Sequence, residues 1–423
     1  MNIQQPITRR HFLSTAAASG VLITGIGELN AAHSSALLAE GETDHFWYRL
    51  APDGSYIDSQ RDHKAIGFRS GQILLSEDDG KTWPHSARFP NADNITFSCI
   101  LNNGNILFAT RTKLYLSTDN LKTHKRIVVK DRDGNDYLPH TPSDPDRPGW
   151  YFHPLDGVHT WDVDGKEMLV WGNYCNVLGG PVPVNIYYST DHGQTVKIAY
   201  SFGHNPRFQD RDAKSGAPLG DPDNPVICRH IHSVAYNPAE RAFYACTGDR
   251  DVEQRHECHW LRGTFDSKKD VWTWKVLVSS NNNSRYKSGG INFVDGQLYW
   301  AADANGRVPP DQKHDRGIFR CDPSDLADPA KHTMLFNPEY ESANMIIEDG
   351  VILAAHYAPA SPYHTGFIIS PDMGKTWAQY DLKQFGRRSP VRFHKMNSDG
   401  WFRVDLRKGW IERGEVLFIK PKQ

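Results

Sequence analysis

Apolar and polar residues alternate along this chain in short runs, each cut by Gly, Asn or Asp. A period of two with turn residues between the runs is the pattern of half-buried β-strands. FSCILNNGNILFATRTKLYLSTDNLKTHKRIVV, from Phe97, reads as four such strands. The same four-strand phrase can be laid over the stretches that begin at Gly157, Arg229, Gly289 and Ala343. A further group ends near Phe89, and a C-terminal group runs from Pro390 to Pro421. The last group is one strand short, and DHFWYRL at Asp44–Leu50 can supply the missing strand and close a ring. No stretch carries long helical periodicity. Long inserts at roughly 131–157 and 203–228 interrupt the pattern and are places for functional elaboration.

A second regularity overlies the first. SEDDGKTW at Ser76–Trp83 returns as SPDMGKTW at Ser370–Trp377. STDHGQTV at Ser189–Val196 loses only the tryptophan, and STDNLKTH at Ser117–His124 is a decayed copy. Asp and Ser side chains at this spacing can bond backbone groups of one turn, and Gly supplies a positive φ. The motif resembles the Asp-box of sialidase-like propellers. Each copy falls between the third and fourth strands of its group, so it staples a turn and marks a blade. The expected fold is all-β, a seven-bladed β-propeller of four-stranded antiparallel blades with Asp-box turns.

The chain has 423 residues, 39% of them hydrophobic, enough for a large buried core. Its formal charge of −2 is spread through the sequence and offers no footprint for nucleic acid. Thr8-Arg9-Arg10 and Phe12-Leu13 precede a short apolar run at Ala16–Gly27, which resembles a twin-arginine export signal. The expected organisation is therefore an export signal over 1–40 and one propeller domain over 41–423. The product would be periplasmic or secreted, with no membrane span, and monomeric.

In a propeller blade the innermost strand begins, and the second strand ends, on one face, away from the turn motif. Residues at those positions converge on a central cleft. They include Arg111, His153, His159, Asn173 and Tyr174, then Arg229, His230, Arg285, Tyr286, His356 and Tyr357. Acids are scarce there, apart from Asp249 and Asp303. Hydrolysis of a glycoside usually needs two carboxyl groups flanking the bond. Arg, His and Tyr without carboxylates suit β-elimination from a uronic-acid sugar instead. A cation neutralises the substrate carboxylate, a His or Tyr takes the C5 proton, and a His or Tyr protonates O4. A tyrosine base would need its pKa lowered by cations such as Arg285 or Lys287.

HPLDGVHTWDV and WGNYCN, CRHIHSVAYNP and HECHW, and SRYKSGGINFVDGQLYW resemble propeller polysaccharide lyases of the ulvan-lyase type over about Tyr151–Trp300. The resemblance implies an acidic polysaccharide substrate, a cleft of His, Tyr and Arg, and a capacity to hold zinc. Carried over, His153 matches a cleft histidine, Arg229 the carboxylate-binding arginine and Tyr286 a cleft tyrosine. Asn173 stands where a second cleft histidine is expected, so His159 or His204 would have to replace it. The expected catalytic group is then His153, His159, Arg229 and Tyr286. Arg111, Asn173, Tyr174, Arg285 and His356 would bind substrate. A sialidase-type hydrolase, or a propeller that only binds a glycan, is the alternative.

Blade four also offers metal ligands. Cys246 and Cys258 can face one another across a hairpin, with His256 on the same face as Cys258. His232 reaches the same height if the NPAE turn carries a bulge. His232, Cys246, His256 and Cys258 would make a tetrahedral, structural zinc set. His230 or His259 could replace one member if the register differs, and a Cys246–Cys258 disulfide is the competing possibility.

Overall fold

The computed structural model describes residues 39–422 apart from 52–55, 70–71, 81, 89–94, 138–150, 156, 175–181, 207–219, 250–253, 304–314, 339–340, 358–363, 383–387 and 409–411. The export-signal segment up to residue 38 and the centres of both long inserts lie outside the described residues.

The alternating runs form seven antiparallel sheets arranged as a β-propeller. Blades one to six have four strands each, in sequence order from the axis outwards. Their innermost strands are Tyr56–Arg61, Phe97–Ile100, Thr160–Val163, His230–Asn237, Ser288–Val294 and Glu341–Glu348. Blade seven contains Arg388–His394, Phe402–Lys408 and Glu412–Pro421. Its fourth strand is Phe46–Ala51, antiparallel to the C-terminal strand with Phe46 opposite Pro421 and Ala51 opposite Val416. The ring is thus closed by joining the two ends of the domain. Alternation sets the faces of this strand: Phe46 and Leu50 are 3% exposed, whereas Trp47 is 42% exposed. A fifth strand, Ala39–Glu42, pairs outside it. Its sequence AEGE carries no apolar alternation, which is why the pattern did not predict it.

The repeated motif is a hydrogen-bonded turn between third and fourth strands. Ser76 Oγ donates to Asp78 at 2.7 Å and accepts the Gly80 N–H at 2.8 Å. Asp78 in turn accepts the Thr82 N–H at 2.8 Å and the Thr82 hydroxyl at 2.6 Å. Ser370, Asp372, Gly374 and Thr376 repeat these bonds. The decayed copy keeps them through Ser117, Asp119 and Thr123, with Leu121 where the others have Gly. Leu121 therefore sits at φ +67°, a conformation that costs an L-residue about 1–2 kcal/mol. Its side chain is 4% exposed in the core between blades one and two, and burial worth about 1.5–3 kcal/mol offsets the strain.

The innermost strands share a further device. Those of blades one, four, five, six and seven each slip register by a bulge, between Ile57 and Ser59, Ile231 and Ser233, Ser288 and Ile291, Ala343 and Met345, and Pro390 and Arg392. A bulge re-aims a side chain that regular pleating would send elsewhere. In blade four the bulged residue is His232 itself, so the irregularity lies in the strand and not in the NPAE turn.

Candidate functional site

The positions where innermost strands begin and second strands end do converge, most densely at blades four and five. Arg229 immediately precedes the innermost strand of blade four, His230 and His232 lie on it, and Asp249 follows its second strand, Ala242–Gly248. Lys287 and Asp303 occupy the matching places in blade five, tied by an Asp303 N–H to Lys287 carbonyl bond of 2.7 Å. Arg229 Nη1 lies 2.9 Å from Asp249 Oδ2. Lys287 Nζ is 3.7 Å from both Asp249 and Asp303. The two imidazoles turn their Nε2 atoms to each other at 3.1 Å. His230 Nε2 is 3.4 Å from Asp249 Oδ2, and His232 Nε2 is 3.5 Å from Asp249 Oδ1. Tyr174 lies across His230, ring centroids 3.9 Å apart, and meets His232 edge-on.

Burial decides the protonation states. It pushes His230 down to about 3, against the pull of Asp249, so the ring is neutral at pH 7. Burial alone would raise the Asp249 carboxyl, but His230, His232 and the Lys287 ammonium hold it well below the usual carboxylate range. The cluster therefore combines two cations, two carboxylates and two imidazoles. Both acids that the sequence inventory set aside as exceptions belong to it.

His153 approaches the same region from blade three. Its carbonyl accepts the Tyr174 N–H, and the Asn173 carbonyl accepts the Ile231 N–H, so one short segment joins it to the His230 strand. His153 Nδ1 is 3.0 Å from the Thr96 carbonyl. A carbonyl only accepts, so Nδ1 carries the proton and Nε2 is the basic nitrogen. Burial, with a smaller push from the Arg392 charge, lowers His153 to about 4. Arg392 is a residue that the sequence reading missed. It forms a buried ion pair with Asp58, the bulged residue of blade one, and Asp58 also accepts the Ser98 N–H at 2.7 Å. No motif marks this pair; only the ring closure and the bulges bring it beside His153.

Several expected site residues have other work. Tyr286 lies in the apolar layer between blades four and five, where its hydroxyl donates to the Leu326 carbonyl at 3.3 Å. Burial raises it to about 12, with Arg285 only partly opposing, so it is not a low-pKa base. Arg285 is committed to Asp315, with Nε to Oδ1 at 2.7 Å, and to the Pro329 carbonyl at 3.0 Å. Asn173 is fully buried and spends its amide on the backbone, donating to the Pro183 carbonyl and accepting the Asn185 N–H. His356 lies over Gly366 towards the outer strand, with Nε2 3.3 Å from the Tyr380 carbonyl. A Cβ at Gly366 would sit 2.4 Å from that Nε2, so only glycine admits the ring there. Arg111 is partly buried, and its carbonyl accepts the Tyr151 N–H. His159 and His204 are exposed, and the Tyr357 side chain lies outside the described residues.

The expected zinc set does not assemble. Cys246 pairs with Trp260, which places Cys258 two residues along the strand rather than opposite. Both thiols are buried in the apolar layer between blades four and five, and neither is in a disulfide. Cys246 Sγ donates to the Tyr286 carbonyl at 3.1 Å, and burial pushes its thiol well above the usual range. His256 is partly exposed. Among the described residues, the His, Cys, Asp and Glu ligand atoms that do converge, all within 4.8 Å, belong to His230, His232 and Asp249. His232 alone is common to both sets.

No protein-family model and no curated protein sequence matches the chain. Solved structures match by fold. An ancestral GH74 enzyme aligns at TM-score 0.51 and 10% identity, over 91% of this chain and 51% of that one. YCF48 bound to a D1 peptide aligns at 0.50 and 13%, over 91% and 98%. The extracellular domain of a hybrid two-component system of B. thetaiotaomicron aligns at 0.50 and 8%, over 92% and 43%. At these identities the likeness is one of propeller architecture. Among the described residues no helix is long and apolar enough to cross a membrane.

Proposed function

We propose that the chain is an exported polysaccharide lyase that cleaves a uronate-containing, ulvan-like polysaccharide by β-elimination. The observation that carries this reading is the state of His153. The Thr96 carbonyl holds its proton on Nδ1, and burial keeps the ring neutral, which is the form a general base needs. Arg229, whose side chain is 17% exposed beside Asp249, would pair with the uronate carboxylate and so acidify C5–H. His153 Nε2 takes the C5 proton, the electron pair becomes the C4=C5 double bond, and the C4–O4 bond breaks. O4 then takes a proton from Tyr174, the cleft tyrosine that lies against His230. Tyr286, with its hydroxyl spent on Leu326, has no part in the step. The Thr8-Arg9-Arg10 segment and the apolar run behind it support export by the twin-arginine route.

The test is ultraviolet absorbance of the unsaturated uronate product, over ulvan, glycosaminoglycan, pectin-like and gum substrates. The reading expects absorbance to rise with at least one and to stay flat for Arg229→Ala and His153→Ala. Release of reducing sugar without absorbance would replace it with a hydrolase. Binding without either product would leave a glycan-binding propeller.

A further inference from the structure

We infer that Arg392 is a positioning residue for His153, holding the general base from blade seven without itself touching substrate. The inference rests on the lyase reading only in taking His153 as the base. Arg392 lies on the innermost strand of blade seven, Arg388–His394, directly after the bulge between Pro390 and Arg392. Its partner Asp58 is the bulged residue of blade one. Two separate departures from regular pleating therefore aim this pair, which is the usual use of a bulge beside a site.

The first argument is a closed chain of contacts. Arg392 Nη1 donates to Asp58 Oδ1. Asp58 Oδ2 accepts the Ser98 N–H at 2.7 Å and the Ser98 hydroxyl at 3.2 Å. Ser98 stands two residues after Thr96, whose carbonyl fixes His153 Nδ1 at 3.0 Å. From the other side the guanidinium lies against Gly157, four residues after His153. A Cβ on Gly157 would meet Nη1, Cζ and Nη2 of Arg392 at 3.3–3.4 Å, nearly equidistant, so the glycine sits over the flat face of the guanidinium. One side chain thus bears on both supports of the imidazole, the carbonyl that takes its hydrogen bond and the segment that carries its backbone. A shift in either would displace Nε2, and misplacement by about 1 Å costs about 10²-fold in rate.

The second argument separates this role from substrate binding. Asp58 keeps only 2% of its side chain exposed, and Arg392 12%. A substrate carboxylate would have to displace a buried carboxylate that Ser98 also holds, so the guanidinium charge is already committed. In the Arg229–Asp249 pair both side chains are more open, at 17% and 16%. The Arg392 charge also reaches His153, where it disfavours a second ring proton and so favours the form that a base needs.

The experiment compares the full-length wild type with Arg392→Lys, Arg392→Met, and Asp58→Asn combined with Arg392→Met. The double variant leaves no buried carboxylate unpaired, and it carries the test if Arg392→Met alone does not fold. Nitrogen-15 NMR of the imidazoles, with the His153 signal identified by its loss in His153→Gln, reads the tautomer without any substrate. The wild type is expected to hold the proton on Nδ1, and the variants with Met to mix both tautomers. On a panel polysaccharide that the wild type cleaves, kcat should fall about 10²-fold in the variants with Met at nearly unchanged KM, with partial recovery in Arg392→Lys. An unchanged His153 tautomer in a folded variant with Met would overturn the positioning role. So would a raised KM at unchanged kcat, which marks direct substrate binding. A wild type without turnover would sink the lyase reading alone, because the NMR comparison still decides whether Arg392 positions the ring.

Discussion

Phe46→Ala separates ring closure from simple edge pairing. Phe46 is 3% exposed, and its ring packs on Tyr380 at 4.7 Å and on Phe367 at 5.5 Å between centroids. Both partners belong to blade six, so this one side chain ties the N-terminal strand to the neighbouring blade. Truncating a fully buried Phe costs about 3–5 kcal/mol. For a domain of about 380 residues, an unfolding entropy of ~2.1 cal/mol/K per residue gives ~0.8 kcal/mol/K, so Tm should fall by ~4–6 °C. Trp47→Ala is the internal control. Its ring is 42% exposed, with Lys422 Nζ 5.4 Å from the centroid. A cation–π contact in water is worth about 0.5–1 kcal/mol, or ~1 °C. Calorimetric melts of both variants decide the matter. Equal shifts would refute the idea that this strand closes the ring through its inward face.

Three further outcomes follow from side chains already placed. Burial alone would raise the Asp405 carboxyl, but Arg403 and His394 hold it below its unfolded value. Its stabilisation is thus present above the ordinary carboxylate range and fades as pH falls below about 4. Asp405→Asn should cost about 3–5 kcal/mol in urea melts at pH 7, and the gap to wild type should narrow at pH 3; a constant gap would contradict the pairing. Leu121→Gly should relieve left-handed strain yet lose more in packing, giving a small net drop in stability, and a gain in Tm would show that strain dominates. With burial lowering His153 to about 4, the proposed lyase reading expects turnover to hold down to about pH 5 and to fall as pH approaches 4. A midpoint near 6.5 would point to an ordinary, exposed histidine as the base.

The architecture was legible because period-two alternation and the turn motif repeat, and repetition averages out local error. Even the closing strand could be read, since the C-terminal group is one strand short and the aromatic-rich DHFWYRL can fill the place. The site was legible only as far as strand positions carry it. Arg229, His230, Asp249 and Asp303 lie where strand counting puts them. His232 is turned by a bulge, and bulges leave no mark in an alternating pattern. Tyr286 and Arg285 were misjudged because the chain between blades dips into the apolar layer, where Leu326 and Asp315 await them. The cysteine ligand set failed on register, since Cys246 faces Trp260 and not Cys258.

The closing strand also has a consequence in time. Phe46–Ala51 leaves the ribosome long before its pairing partner Glu412–Pro421 is made. At about 5–20 residues per second the strand waits roughly 18–72 s, with Phe46 and Leu50 uncovered. For that interval the nascent chain carries an unmatched apolar edge while the other blades can already assemble. Synthesis in the reverse sense, by a circular permutant that joins the neighbouring ends at Phe46 and Pro421, would abolish the wait. Such a permutant should depend less on holdase chaperones during translation than the natural order does.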